Sequence, residues 1–176
     1  DVYADGLAAS VLSAALNAPI LLTQQHALPA SVKTAITNFG ATKVIVLGGE
    51  AAVSAHVASE LTAMGVTVER VGGATRYETA VAVAQKAKAA GAIANYAFVV
   101  NGHASADSLV AGAAAFNAKA PILQVAKDSV PAATKAAFAA LGITKVYIVG
   151  GTAVISEAVT AELATVVTVD SRIAGA

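Results

Sequence analysis

The sequence predicts an α/β fold in which tandem βα repeats form parallel sheets covered by helices, in the style of Rossmann or flavodoxin-like modules. Short β-branched runs recur about every 25 residues and alternate with Ala-rich stretches of helical spacing, as in βαβ units. Several of these runs are apolar throughout, which is typical of strands buried on both faces of a parallel sheet. The third observation is an internal repeat that carries the same alternation twice.

The repeat appears when residue 103 is placed under residue 1, because 26 of the 74 overlapped positions are then identical without a gap. Asp5 aligns with Asp107, and Arg70 aligns with Arg172. Such an offset indicates a duplicated structural unit. A duplicated unit with few chemically reactive residues favours a binding or assembly array over an enzyme. Both ends look like cuts through that array, so we expect the chain to be a fragment of a longer one.

The individual elements follow from the same alternation. Apolar residues at helical spacing, such as those at 32–39, predict helices between the strands. Prolines open two of the helices, where a missing N–H costs nothing, and glycines follow four of them as candidate caps. The prolines are Pro29 and Pro131, and the glycines are Gly40, Gly65, Gly91 and Gly142. The predicted strands are 20–23, 43–47, 67–71, 96–101, 121–125, 145–149 and 166–169.

Composition excludes several classes of function. The net charge is zero and the chain is only 12% charged, so no basic patch for nucleic acid is expected. No apolar run is long enough to span a membrane. The chain has no cysteine, and its three histidines lack metal-ligand spacing. No catalytic constellation stands out, so we predict no enzyme, no metal site and no cofactor.

The densest polar cluster lies at 70–80, in an otherwise bland chain. Thr75 and Glu78 form a predicted capping box at the start of a helix. Arg76 then lies in the first helical turn, where a cation is unfavourable against the helix dipole. Two explanations stay open: Arg76 binds an acidic ligand, or it pairs with a carboxylate and joins neighbouring units.

Asp107 follows the predicted strand 96–101 and opens a helix, where a carboxylate stabilises the N-terminus. Ligands of parallel sheets bind at the carboxyl ends of the strands, so Asp107 also lies at the ligand-prone edge and is a natural partner for Arg76. The Gly-Gly pairs at 48–49 and 150–151 are either tight βα turns or anion-binding turns.

The segment Arg-Val-Gly-Gly-Ala-Thr-Arg-Tyr-Glu-Thr-Ala at 70–80 resembles the motif R-x-x-G-x-x-R-[YF]-x-T-A of the cell-wall-binding repeat type 2 family. Further landmarks at 99–109, 120–123 and 145–156 resemble this family in order and spacing, and the earlier copy repeats them. The resemblance implies a non-catalytic, extracellular module that anchors surface or S-layer proteins to the Gram-positive cell wall. The implied ligand is an anionic secondary wall polymer, either a polysaccharide or a teichoic-acid-like polymer.

The family usually carries three repeats in a triangular arrangement, so the implied protein partners are neighbouring repeats or other copies of the chain. A self-assembling scaffold unit of a surface layer is the alternative function. A nucleotide-binding α/β domain is less favoured, since the chain lacks a phosphate-binding loop. The resemblance divides the chain into part of a first repeat at 1–69, a complete repeat at 70–171 and the start of a third at 172–176. The candidate ligand-binding residues are Arg70, Arg76, Tyr77, Thr79, Asp107 and Arg172.

Overall fold

Parallel strands flanked by helices form two sheets in the computed structural model, which describes residues 5–91 and 94–175. The strands are β1 (Lys43–Leu47), β2 (Thr67–Val71), β3 (Tyr96–Asn101), β4 (Ile122–Val125), β5 (Lys145–Val149) and β6 (Thr168–Ile173). The helices are α1 (Ser10–Leu16), α2 (Ala30–Asn38), α3 (Ala55–Ala63), α4 (Arg76–Ala89), α5 (Ser105–Ala118), α6 (Ala132–Leu141) and α7 (Glu157–Ala164), and a 3-10 helix covers Gly6–Ala8.

The first sheet pairs β1 with β2, and the second has the strand order β4-β3-β5-β6. All pairs are parallel. β3 lies at the centre of the second sheet, and five of its six residues are buried. Helices cover these apolar strands, as buried parallel strands require. The predicted α/β class with parallel, helix-covered sheets is confirmed.

The core of the second sheet is built from β-branched and Leu side chains around Phe138, which is almost fully buried. A separate cluster packs Val11 of α1 with Val71 of β2 and Val83 of α4. α1 also packs against α5. The two copies therefore share buried surface and form one packed molecule.

The α1–α5 contact makes equivalent positions of the two copies differ in exposure. Leu7 is 8% exposed, whereas its repeat counterpart Leu109 is 68% exposed. The 3-10 helix that carries Leu7 packs on α4, α5 and β4, whereas the side chain of Leu109 on α5 remains largely exposed. The outer face of α5 is therefore apolar and open.

Two of the seven predicted strands need correction. Residues 20–23 form no strand, although their sequence repeats that of β4. β4 pairs with β3, and at the repeat offset the counterpart of β3 falls ahead of residue 1, so 20–23 have no strand beside them among the described residues. The last strand covers 168–173 rather than 166–169, because Val166 and Val167 form the turn after α7 and pairing with β5 begins at Thr168.

The repeat is also not strictly gapless in three dimensions. Thr67 and Thr168 begin equivalent strands, one residue short of the 102-residue offset. Val146 pairs with Val169 but Tyr147 pairs with Ser171, so the pairing skips Asp170. Beyond this point, and thus at Arg172, equivalent residues of the two copies are again 102 positions apart. This irregularity has a β-bulge's effect of inserting one extra residue. Ser171 then takes the register position of Glu69, and the skipped residue Asp170 supplies the carboxylate that pairs with Lys145, as Glu69 pairs with Lys43.

The residues at the helix ends adopt the conformations that the sequence predicts. Thr75 and Glu78 form a complete capping box at the start of α4. Pro29 and Pro131 take the cap positions directly before α2 and α6. All four predicted cap glycines have positive φ. The repeat boundaries at 69/70 and 171/172 stay predictions, and residues 1–4 and 176 of the outer units lie outside the described residues.

Acidification is expected to destabilise the contact between β1, β2 and α4 that Glu69 makes. Its carboxylate lies 2.5 Å from Nζ of Lys43 and 2.6 Å from Nζ of Lys86. The hydrogen bond from Lys43, followed by that from Lys86, lowers the pKa of Glu69 below its ordinary value of 4.5. A lowered folded-state pKa gives stability that is present above the unfolded value and is lost as the pH falls through the folded value.

We therefore expect the free energy of unfolding, measured by urea denaturation, to fall below pH 4.5 less steeply in Glu69→Gln than in the wild type. Glu50→Gln is the control, since Glu50 is exposed and forms no ion pair within residues 5–91 and 94–175. Equal slopes in all three proteins would contradict the prediction.

Candidate functional site

Each Gly-Gly turn is held by an arginine from the neighbouring strand. Arg70 donates from Nη1 to the carbonyl oxygen of Gly48 and from Nη2 to that of Val53, both at 2.8 Å. Arg172 donates from Nη1 to the carbonyl oxygen of Gly150 at 2.8 Å, and from Nη2 to Oγ1 of Thr160 at 2.6 Å. The two arginines that the repeat aligns therefore brace equivalent turns.

The first turn also requires close backbone approach. A Cβ atom at Gly72 would lie 2.7 Å from the carbonyl carbon of Gly48. This is too close for any residue that has a Cβ atom, so the position requires glycine. Gly48 itself has φ +91, and its N–H donates to the carbonyl oxygen of Val71 at 2.9 Å. The ends of β1 and β2 are thus held together, and the chain leaves β2 directly into α4.

A polar groove of about 280 Å³ lies where these strand ends meet the start of α4. It lies at the carboxyl edge of the sheet, where ligands of parallel sheets bind. Turn glycines Gly49 and Gly73 form part of its wall. The polar side chains that line it are Asp5, Gln25, Thr75, Arg76 and Thr79.

Arg76 is the cation of this groove and is half-buried. Its Nη1 donates to the carbonyl oxygen of Gly102 at 2.5 Å, the one hydrogen bond that the described part of the chain gives this guanidinium. Most of its N–H groups therefore remain for other acceptors. Arg76 also stands at the N-terminus of α4, where the partial positive charge of the helix adds to its own.

The other groove residues are fixed by the backbone. Thr79 is buried, and its Oγ1 accepts a hydrogen bond from the N–H of Gly73 at 3.2 Å. Thr75 caps α4. Gln25 donates from Nε2 to the carbonyl oxygen of Ala51 at 2.7 Å. The groove therefore has rigid walls, with Arg76 as its main unsatisfied donor.

The aspartates of the two copies lie against the Gly-Gly turns. A Cβ atom at Gly48 would lie 2.3 Å from Oδ2 of Asp5, and one at Gly150 would lie 2.8 Å from Oδ2 of Asp107. Within the described ranges, Asp107 forms no ion pair with Arg76, so the expected pairing is not found.

The six candidate residues are thus divided among different places. Arg76 and Thr79 line the groove, and Arg70 braces the adjoining turn. Tyr77 is half-buried beside Gly102. The remaining two belong to the second copy's turn and are Asp107 and Arg172.

Two groove residues, Asp5 and Gln25, are missing from the predicted set. Asp5 could have been found because the repeat places it at the same edge as Asp107. Gln25 follows the segment 20–23, whose carboxyl end belongs to this edge. In the parts of the chain that the structure describes, no cluster of His, Asp or Glu side chains is suited to a metal ion. No helix there is long and apolar enough to cross a bilayer.

Comparison with known sequences decides the family. The profile described as Cell wall binding domain 2 (CWB2) matches residues 1–58 and 70–160. The chain belongs to this family. The predicted family, its cell-wall-binding class and its surface location are confirmed by this match and by the relatives of the chain.

Among CWB2 relatives, N-acetylmuramoyl-L-alanine amidase LytC of Bacillus subtilis is 36% identical over 157 residues, which cover 89% of this chain and 31% of that protein. The amidase enhancer of the same organism is 32% identical over 133 residues, covering 74% of this chain and 18% of the enhancer. The chain therefore spans less than a third of either relative.

Two solved structures have the same fold. Cwp6 from Clostridium difficile superposes with a TM-score of 0.89 at 28% identity, over 98% of this chain and 28% of that one. Cwp8 from the same organism gives a TM-score of 0.82 at 32% identity, over 99% of this chain and 30% of that one. Cwp6 and Cwp8 therefore each contain a region with the parallel, helix-covered fold of this chain.

The close approach of the glycine turns predicts a specific stability effect. Gly72→Ala should lower the free energy of unfolding by about 1–3 kcal/mol, because its Cβ meets backbone that cannot rotate away. Gly49→Ala is the matched control on the same turn, since its Cβ would lie 3.8 Å from the nearest atom beyond its chain neighbours, the carbonyl oxygen of Gly73. Urea denaturation of both variants checks this, and an equal loss in the two would contradict it.

Proposed function

We propose that the chain binds an anionic secondary wall polymer without catalysis, and thereby anchors a surface or S-layer protein to the cell wall. The observation that carries this proposal is the groove at the start of α4, where Arg76 keeps most of its N–H groups available. Membership of the CWB2 family supports a wall ligand.

The groove suits an acidic group bearing neighbouring hydroxyls. Charge-assisted hydrogen bonds from a guanidinium to a phosphate or carboxylate are among the stronger polar contacts. The carboxylate of Asp5 would accept hydrogen bonds from sugar hydroxyls beside it, and the amide of Gln25 would accept or donate them. A polysaccharide or a teichoic-acid-like polymer supplies both kinds of group along its length.

Repetition supplies the affinity that one small groove lacks. At the repeat offset, Asp107 and Gly151 correspond to Asp5 and Gly49, and Lys127 replaces Gln25. We infer a second subsite there, whose cation would be Lys127. Sites that repeat along a polymer gain avidity once the first has bound.

Catalysis is not part of the proposal. The match to the amidase LytC covers only 31% of that protein, so an amidase activity is not transferred to this chain. Arg70 and Arg172 would serve the ligand mainly by bracing the turns. The first subsite would be shaped by Thr79, which lines it, and by Tyr77 next to Arg76. The second subsite would include Asp107.

The open face of α5 supports neighbouring repeats or a second copy as protein partners. Leu109 and Val110 are exposed there, whereas their counterparts Leu7 and Ala8 are buried between the two copies. Contiguous exposed apolar side chains mark association surfaces. This surface also favours the alternative function, a self-assembling scaffold unit.

Arg76→Gln should weaken binding to protein-stripped Gram-positive cell walls by about tenfold or more, since a hydrogen bond to a charged group contributes about 1.5–3 kcal/mol. Binding of the wild type should also weaken with added salt, because charge attraction is screened. The measurement is a sedimentation assay of the folded proteins on purified walls at low and high salt.

Lys88→Gln is the matched control for Arg76→Gln, because it removes the same charge from the exposed last turn of the same helix. Circular dichroism establishes that both variants fold. Equal binding by the two variants would sink the role of Arg76, and no retention of the wild type on any wall fraction would sink wall binding itself.

The association surface has its own test. The double variant Leu109→Gln, Val110→Gln should reduce concentration-dependent association in analytical ultracentrifugation, with the free energy of unfolding changed by less than about 0.5 kcal/mol because both side chains are exposed. Val166→Gln, at an exposed position away from α5, should leave association unchanged. Equal association in the wild type and the double variant would contradict the proposed partner surface.

A further inference from the structure

Asn101 is the last residue of β3 and is only 6% exposed. Its Nδ2 donates to the carbonyl oxygen of Val154 at 2.5 Å, and its Oδ1 accepts from the backbone N–H of His103 at 2.8 Å. These partners define which end of the amide is nitrogen and which is oxygen, because a carbonyl only accepts and an N–H only donates. Both ends of this buried amide are therefore engaged with backbone.

The N–H of His103 and the carbonyl of Gly102 belong to one peptide group. A trans peptide group is planar, so its N–H and its C=O point in opposite directions. Because Asn101 holds the N–H, the carbonyl points away from Asn101, and there it accepts the hydrogen bond from Nη1 of Arg76. An Asn side chain that bonds the backbone two residues on commonly sets a turn. Here that turn orients the acceptor of Arg76.

Arg76 also packs against this peptide group. A Cβ atom at Gly102 would lie 2.9 Å from Cδ of Arg76 and 3.2 Å from Cε1 of Tyr77. The N–H of Gly102 donates to the carbonyl oxygen of Val125 at 2.9 Å, which holds the chain on the side of β4. Asn101 holds it on the other side. The tip of the Arg76 side chain is thus attached to a segment that is itself fixed at both ends.

We propose that Asn101 is a positioning residue for Arg76, acting through the peptide group between Gly102 and His103. The inference rests on the proposed function, because Arg76 is the cation that would meet the anionic polymer. A guanidinium that is already held at one nitrogen loses less conformational freedom when a ligand binds. Val154 belongs to the turn that follows β5, so this turn contributes through Asn101 to the groove at the start of α4.

The first test is the ¹⁵N NMR spectrum of the arginine side chains, which needs no ligand. A hydrogen bond to Nη slows rotation about the Cζ–Nη bond, so the two Nη atoms give separate signals. Asn101→Ala removes the acceptor of the His103 N–H and should merge the Nη signals of Arg76. Those of Arg70 and Arg172 should stay separate, because these arginines donate to other carbonyl groups.

Three further variants separate positioning from stability. Asn101→Asp should keep the Arg76 signals separate, because a carboxyl oxygen still accepts from the N–H of His103. Asn101→Leu fills the space of the amide without a polar atom, and it replaces Asn101→Ala if the alanine variant does not fold. Ile148→Val shortens a fully buried side chain of β5, so it should lower Tm and leave the Arg76 signals separate.

The second test is a double-mutant cycle on purified cell walls, in the sedimentation assay. Asn101→Ala should weaken binding at least about threefold in the wild-type background and less than about 1.5-fold in the Arg76→Gln background, because members of one hydrogen-bond network are coupled. His103→Ala should change neither the NMR signals nor the binding, since its side chain is exposed and its backbone N–H remains.

Merged Nη signals of Arg76 in the wild type, in Asn101→Asp or in Ile148→Val would overturn the proposal. Separate signals in Asn101→Ala, or in Asn101→Leu where that variant replaces it, would also overturn it, and so would an equal loss of binding in both backgrounds. If no wall fraction retains the wild type, the proposed function fails, and the NMR test alone then decides the role of Asn101.

Discussion

The structure depends on one constraint: an apolar run must pair with a neighbouring parallel strand before helices can cover it as part of a sheet. β3 meets this constraint for β4 and β5, and the core around Phe138 then closes over all three strands. Where the neighbour is not among the described residues, the same Pro-Ile-Leu sequence forms no strand and stays exposed at 20–21. Backbone pairing, rather than residue type, therefore decides which apolar runs become core.

The Gly-Gly turns extend this constraint to the candidate site. Because the backbones at Gly48 and Gly72 approach closely, and Arg70 braces the turn, the ends of β1 and β2 are fixed relative to the start of α4. The capping box of Thr75 then sets the first turn of α4, and with it the position of Arg76. A polar groove with a well-placed cation follows from the packing requirements of glycine and from local hydrogen bonds.

The arginines of the repeated motif have different hydrogen-bond partners, and the sequence motif alone does not predict this difference. Arg70 and Arg172 direct both terminal nitrogens to protein acceptors, as expected of residues that maintain a turn. Arg76 gives one hydrogen bond to Gly102 and lines the groove. In a chain whose 11 Lys and Arg residues are balanced by 11 Asp and Glu residues, recognition of an anionic polymer would rest on such local placement of single cations and on repetition.

The sequence alone determined the α/β class, five of the strands to within a residue, the capping box of α4 and the cell-wall-binding family, because these follow from periodicity, end signals and local motifs. Tertiary structure decided what depends on neighbours distant in sequence. It left 20–23 unpaired, moved the last strand to 168–173 and introduced the register shift at Asp170 that restores the position of Arg172. It also placed Asp5 and Gln25 in the groove and, among the described residues, left Asp107 without an ion pair to Arg76, since side-chain proximity across a sheet edge is fixed by strand pairing that a single sequence does not encode locally.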